Sequence, residues 1–319
     1  MVYSLFTIVL SVAAAIPLIS ASPIPLFGIH IGAGKIANGN TSPVAQATID
    51  STLLRPALFS RAAYCSAASV TALSCGAPCD AIKTIKVLQA GGDDGAIPGF
   101  FIAQDPDSKS VVVAHQGTDP QKLMSIANDA DIAQDAMNST LFPKAAKGAL
   151  VHSGFQDTQG RTADLVLSTV KSALASTGFK RVLTTGHSLG AAVALLDAAM
   201  LRMQLSSDVA VESVVFGQPR VGNQQFADMI DGMLPDYTRV TNQDDIVPIV
   251  PPRFLSYQHS QGEVHITSVS AAGAGTLVAC PGQENEKCAQ GNSALHASVS
   301  NHLGPYFNDI SFGASACPA

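Results

Sequence analysis

Charge is scarce in this chain. Only 13% of its 319 residues are Asp, Glu, Lys or Arg, and the formal net charge is -6. A chain with so few cations and no basic excess has no electrostatic footprint for nucleic acid. No Cys-x-x-Cys pair occurs and no histidine cluster accompanies the cysteines, which argues against structural zinc; no metal site is expected. Beyond the first residues, no apolar run is long enough to span a bilayer, so stable membrane insertion is not expected. Tryptophan is missing altogether. What is present is a content of 47% apolar residues, enough to bury a core. The length suits one large α/β domain or two smaller ones.

The one long apolar segment stands at the start. Leu5 to Leu10 and Val12 to Ile16, followed by Ile19-Ser20-Ala21 as a small-residue cleavage site, read as a signal peptide over residues 1–21. It lacks a basic residue near its start, and Pro17 and Pro23 interrupt any continuous membrane helix. Residues 22–45 are rich in Pro, Gly and Ala and read as an N-terminal arm or propeptide, with residues 46–319 as the folded domain. A secreted, extracellular protein is expected. Six cysteines suit that compartment and allow fifteen ways to form three disulfides. Cys75 with Cys79, and Cys280 with Cys288, could each close a small loop, and Cys65 with Cys317 would then tie the front of the fold to its tail; the alternative is that some are free or metal-bound. Asn40-Thr41-Ser42 and Asn138-Ser139-Thr140 carry the N-glycosylation acceptor pattern.

The pattern of elements places an antiparallel meander before a run of strand–helix repeats. A helix is expected over Ala45–Ala68, kinked or broken at Pro56, then strands at Ile82–Leu88, Gly99–Ala103 and Ser110–His115. Leu123–Ala127 reads as a short helix among aspartates, either a lid or a plain surface helix. Helical spacing resumes over Thr162–Ser176. Arg181-Val182-Leu183 is a short buried strand, and Ala191–Met200 is rich in helix formers. Between them lies Gly186-His187-Ser188-Leu189-Gly190, the G-x-S-x-G turn that lifts a serine above the end of a strand. Its bland alternative is a tight turn whose serine bonds its own backbone. Strands at Val211–Gly217 and Tyr237–Thr241 follow, with a helix over Gln224–Met233 between them. Glu263–Thr267 reads as a late edge strand, and residues 270–300 as a long loop trimmed by a disulfide. The fold class expected is α/β, a mostly parallel sheet with helices on both faces.

A serine nucleophile needs a base and an acid, in the order Ser, acid, His for this kind of turn. Asp244 and Asp245 both follow a strand end, where such a carboxylate belongs, whereas Asp228 and Asp231 sit in or near a helix. Beyond the serine, His259, His265, His296 and His302 are available, with His302 favoured modestly by its late position ahead of Cys317. His187 is adjacent to the serine and reads as part of the scaffold. Thr118, in the Gln116-Gly117-Thr118-Asp119 turn after a central strand, stands where an oxyanion donor belongs.

Taken together, Thr185–Gly190, Phe216-Gly217-Gln218-Pro219-Arg220-Val221-Gly222-Asn223 and Asp245-Ile246-Val247-Pro248 with Pro251-Pro252 resemble, in that order, the secreted fungal class 3 lipases, which have the α/β-hydrolase fold. The resemblance covers about Arg61 to Cys317. It implies Ser188 as nucleophile, Asp245 as acid and His302 as base, with Thr118 and the Leu189 N–H as oxyanion donors. It also implies a lid over residues 119 to about 130, and the pairs Cys65–Cys317 and Cys75–Cys79, leaving Cys280–Cys288 as an extra. This chain departs from the family pattern at His115-Gln116, where relatives carry an aromatic and an arginine. It has Ala191 in place of a second glycine, and its lid has no tryptophan. The activity implied is cofactor-free hydrolysis of acylglycerol esters at a lipid–water interface, by a monomer, through an acyl-enzyme. The rivals are a soluble carboxylesterase or feruloyl-type esterase, and a catalytically silent surface or carbohydrate-binding protein.

Overall fold

A computed structural model describes residues 39–93, 95–118, 132–293 and 298–317. The signal peptide, most of the N-terminal arm, the expected lid with Leu123–Ala127, and His296 lie outside the described residues. The centre of the fold is a sheet of nine strands. In chain order they are β1 (Ser42–Pro43), β2 (Lys86–Gly91), β3 (Phe100–Asp105), β4 (Ser110–His115), β7 (Arg181–His187), β8 (Ala210–Phe216), β9 (Tyr237–Asn242), β10 (Glu263–Val269) and β11 (Gly275–Cys280). A separate antiparallel pair is formed by β5 (Gln134–Ala136) and β6 (Leu150–His152). The spatial order of the large sheet is β1-β11-β10-β9-β8-β7-β4-β3-β2. The run from β10 to β4 is parallel, while β11 and β1 on one side, and β3 and β2 on the other, run antiparallel. The fold is α/β with a mixed, centrally parallel sheet flanked by helices.

Both faces of this sheet are covered, and the sequence of β4 shows why. Val111, Val112, Val113 and Ala114 are all fully buried. Alternate residues point to opposite faces, so Val111 and Val113 join one core with Val182, Val211 and Val215, and Val112 and Ala114 join a second with Leu183, Val214 and Phe216. A continuous apolar run is what a strand needs when helices pack on both sides. The first core is closed by α4 (Ser153–Gly160), α5 (Ala163–Thr177) and α6 (Leu189–Gln204) together with α7 (Gln224–Met233). The second is closed by α1 (Leu54–Ala62), whose Ser60 hydroxyl bonds the Thr185 hydroxyl of β7 at 2.8 Å.

Four local expectations are revised. The helix expected over Ala45–Ala68 is instead one helical turn, a π-helical stretch over Ile49–Leu53, and α1, with α2 (Ala67–Thr71) separate. Leu54 N–H reaches back to Ile49 C=O, a wider turn that stands just before Pro56, whose missing N–H a regular helix cannot pair. The strand expected from Ile82 begins at Lys86 instead. The Cys75–Cys79 bridge anchors α3 (Ala77–Asp80), and its trailing turns bury Ile82 and Ile85 as core residues before extended structure starts. Glu263–Thr267 is an interior strand, parallel to β9, because the expected loop after it contains β11. Ser42–Pro43, within the N-terminal stretch, completes that side as an edge strand.

The three disulfides are Cys65–Cys317, Cys75–Cys79 and Cys280–Cys288. Their sequence separations are 252, 4 and 8 residues. A cross-link limits the unfolded chain more as its loop lengthens. Replacing Cys65 and Cys317 by Ala should therefore lower unfolding stability by about 5 kcal/mol, against about 2 kcal/mol for the Cys75/Cys79 pair. Urea titration of the two double variants checks this, and equal losses would contradict it.

Candidate active site

The carboxyl ends of three adjacent parallel strands and one late helix converge here, as expected of an open α/β sheet. Strand β7 ends at His187 and α6 begins at Leu189, so Ser188 alone makes the turn between them. Its backbone lies at φ 60, ψ -127, a region non-glycine residues avoid. Such a turn holds only if strand and helix pack very close. A Cβ on Gly190 would come 2.5 Å from the carbonyl oxygens of both His115 and Gln116, so glycine is required where α6 crosses the end of β4. The Ser188 C=O accepts the Ala191 N–H, and its N–H joins the ladder to Phe216 C=O.

From β9 the chain turns at Asn242 and buries Asp245, while Asp244 is exposed. One Asp245 oxygen accepts the Val247 N–H at 2.9 Å; the other accepts His302 Nδ1–H at 2.9 Å. His302 lies in α8 (Val299–Leu303), and its ring is admitted by Gly217, where φ is +54 and a Cβ would meet the imidazole at 2.8 Å. Three polar atoms then stand buried with no hydrogen-bond partner among the described residues: Ser188 Oγ, His302 Nε2 and Thr118 Oγ1. Buried polar groups are normally paired, so unpaired ones of these types at one sheet edge mark a place built for chemistry. Thr118 follows Gly117, whose backbone abuts Ser188 Cβ closely enough that any side chain there would clash. Leu189 opens α6, and first-turn N–H groups have no partner inside their helix.

The other candidate histidines are engaged elsewhere. His259 is buried and its Nε2 bonds Pro248 C=O at 2.8 Å; burial holds it well below the ordinary histidine value. His265 bonds the Thr241 hydroxyl at 2.8 Å. Asp228 and Asp231 bond Gln283 on the surface of α7. Where the family pattern has an aromatic and then an arginine, His115 Nε2 bonds buried Asp197 of α6 at 2.8 Å, and Gln116 Oε1 accepts the Gly99 N–H at 2.8 Å. These two bonds fasten the end of β4 without the missing arginine.

A network invisible in the sequence supports the acid. Arg220, fully buried after β8, donates to Ile249 C=O at 2.5 Å and Pro251 C=O at 2.9 Å, pinning the chain just past Asp245. It also pairs with Glu284 at 2.7 Å and Gln290 at 2.6 Å, both in the loop bracketed by Cys280 and Cys288 or next to it. Arg239 of β9 pairs with Glu263 of β10 at 2.9 Å and holds the same loop through Gln283 C=O. Beyond that loop, Asn292 donates to Gln243 C=O at 2.7 Å and Asp245 C=O at 3.2 Å. The extra disulfide thus belongs to the scaffold of Asp245. No local pattern in the sequence announces this network, because its partners are up to 70 residues apart.

Comparison with known proteins gives a consistent picture. The profile of the class 3 lipases matches residues 112–255. A secreted mono- and diacylglycerol lipase of Malassezia restricta is 34% identical over 214 residues, and the alignment spans 66% of each chain, just under two thirds of that relative's length. Another, from Malassezia globosa, is 32% identical over 75% of each chain. Among solved structures, lipase II of Rhizopus niveus superposes with a TM-score of 0.74 at 25% identity, covering 86% of this chain and 99% of that one.

The Arg220–Glu284 pair gives the scaffold a pH signature. Burial is the largest single influence and pushes the Glu284 carboxyl up, but the Arg220 charge and hydrogen bond, with His259 and Arg239, together outweigh it and lower the group from 4.5 to about 2. A depressed carboxylate contributes stability that is present above its unfolded value and is lost as pH falls through the folded one. Glu284→Gln should therefore cost about 3 kcal/mol at pH 7, and the gap to the wild type should close between pH 4.5 and about 2. Urea unfolding across that range checks it; a gap that persists at the acid end would contradict it.

Proposed function

This chain belongs to the class 3 lipase family, and we propose that it is a secreted serine hydrolase that cleaves acylglycerol esters through an acyl-enzyme on Ser188. The observation that carries the assignment of roles is the set of unpaired buried atoms, Ser188 Oγ, His302 Nε2 and Thr118 Oγ1, beside an imidazole already bonded to Asp245. His302 Nε2 takes the Ser188 proton as Oγ attacks the ester carbonyl. Asp245 fixes the tautomer that leaves Nε2 free to accept and stabilises the imidazolium that forms. The Thr118 hydroxyl and the Leu189 N–H donate to the oxyanion, with the positive end of α6 behind them. His302 then protonates the departing alcohol, and a water deprotonated by the same nitrogen releases the fatty acid. No step calls for a metal or an organic cofactor.

For the substrate, mono- and diacylglycerols are the preferred reading. Relatives named for that activity reach 32–34% identity, against 25% for the solved lipase compared above. No described helix is long and apolar enough to cross a membrane, which fits an enzyme that meets lipid at its surface.

Ser188→Ala should abolish turnover of p-nitrophenyl esters and covalent labelling by a lipid-like phosphonate. Thr118→Val should leave labelling possible but lower kcat by about 10²-fold. Activity of Ser188→Ala near the wild-type level would overturn the mechanism. Rates on emulsified mono-, di- and trioleoylglycerol decide the substrate: a preference for the triester would overturn the partial-glyceride reading, and a preference for dissolved short esters would point to a soluble esterase.

A further inference from the structure

His187, next to the proposed nucleophile, is buried completely and has no role in the mechanism above. Its Nε2 lies 2.9 Å from the His302 carbonyl oxygen, and its Nδ1 lies 2.6 Å from the Tyr64 hydroxyl. A carbonyl can only accept, so Nε2 carries the proton; Nδ1 is then the acceptor and the Tyr64 O–H donates to it. The same Tyr64 oxygen lies against Gly117, where a Cβ would come within 2.5 Å of it. Tyr64 and His187 therefore link the turn that bears Thr118, by close packing and then by two hydrogen bonds, to the backbone of His302.

The far end of that link meets a real structural need. His302 is in the last turn of a five-residue helix, where carbonyls have no helical partner, and Pro305 shortly after it has no N–H to offer. Its oxygen is satisfied by His187 Nε2–H and by the Tyr306 hydroxyl, which donates at 3.1 Å. Two donors on one carbonyl fix the peptide plane and with it the direction of the His302 ring. We propose that His187 is a positioning residue for acyl transfer, holding the His302 backbone and, through Tyr64, the Thr118 turn in register on either side of Ser188. This rests on the roles proposed above for Ser188, His302 and Thr118.

The arrangement also decides which imidazole takes the proton. The two rings lie 4.3 Å apart between centroids, and His187 stacks on Phe312 at 4.5 Å. The groups facing His187 are Tyr64, His302, Tyr306 and Phe312; none is a carboxylate. Burial, with the His302 ring adding to it, holds His187 well below the ordinary histidine value. Only His302 has a carboxylate bonded at its far nitrogen, so the geometry gives the Ser188 proton to His302 and not to His187.

Three variants test the idea on a dissolved ester such as p-nitrophenyl butyrate. His187→Phe keeps an aromatic ring and removes both hydrogen bonds. It should lower kcat by about 10²-fold with KM within about twofold, the size of effect expected when a catalytic group is displaced by about 1 Å. His187→Gln places an amide donor where Nε2 stood and should recover most of that loss. Tyr64→Phe, which breaks the link to the Thr118 turn and leaves the His302 bond, should lower kcat by about tenfold, again with little change in KM. The proposal is overturned if His187→Phe keeps wild-type kcat, or if His187→Gln is as slow as His187→Phe. Should His187→Phe fail to fold, the Tyr64→Phe result decides, and unchanged kcat there overturns it. Ser188→Ala is run in parallel: if it is inactive while the His187 variants are normal, only the positioning role fails, whereas an active Ser188→Ala removes the acyl-enzyme reading itself.

Discussion

A carboxylate taken out of water must have its oxygens bonded or it will not stay ionised, and that requirement governs the architecture around Asp245. Its two oxygens are occupied by the Val247 N–H and His302 Nδ1–H. The second bond joins segments 57 residues apart, one leaving a central strand and the other approaching the tail. Much of what lies between serves to hold those two ends still. Arg220 pins the chain after Asp245, Asn292 fastens the backbone at Asp245, and the Cys280–Cys288 bridge keeps Glu284 within reach of Arg220. The Cys65–Cys317 bridge then ties the tail beyond His302 back to the chain just after α1.

The polar interior is divided by function. The scaffold's central ion pair is heavily bonded: Arg220 reaches two carbonyls, a carboxylate and an amide. Around the seryl turn, Ser188 Oγ, His302 Nε2 and Thr118 Oγ1 are buried and have no hydrogen-bond partner among the described residues. Groups in that state cost free energy to bury, and they retain it for a reacting molecule that supplies the missing partners. His187 belongs to the bonded set although it touches the unbonded one, which is why it suits a supporting role.

What the sequence made legible was whatever depends on neighbours in the chain. The strand Ser110–His115, the helix Gln224–Met233 and the seryl turn follow from apolar runs, helix formers and paired glycines, and all three stand as expected. The interior position of Glu263–Val269 did not, because it depends on β11, a Gly- and Thr-containing segment whose strand character comes from pairing with β10 and not from its own pattern. Ile82 was misplaced for a similar reason: its alternation with polar neighbours suits a strand, but the bridged turn before it leaves it packed as a core residue. At the site, the residue types and their order were readable, but the choice between Asp244 and Asp245 was left to a family resemblance. Burial separates them at once, since one is exposed and the other has no accessible surface.

The sheet's two outer strands carry a consequence for how this protein behaves when concentrated. Open strand edges invite pairing with another copy and growth into fibrous aggregates. One edge here is a strand of two residues, the second of them Pro43, which has no N–H to offer a newcomer. The other, β2, starts with an exposed lysine and breaks register with its neighbour between Val87 and Gln89. Neither edge is a flat template. A protein with little charge to keep its copies apart is thus guarded against edge-to-edge stacking by the geometry of its outer strands.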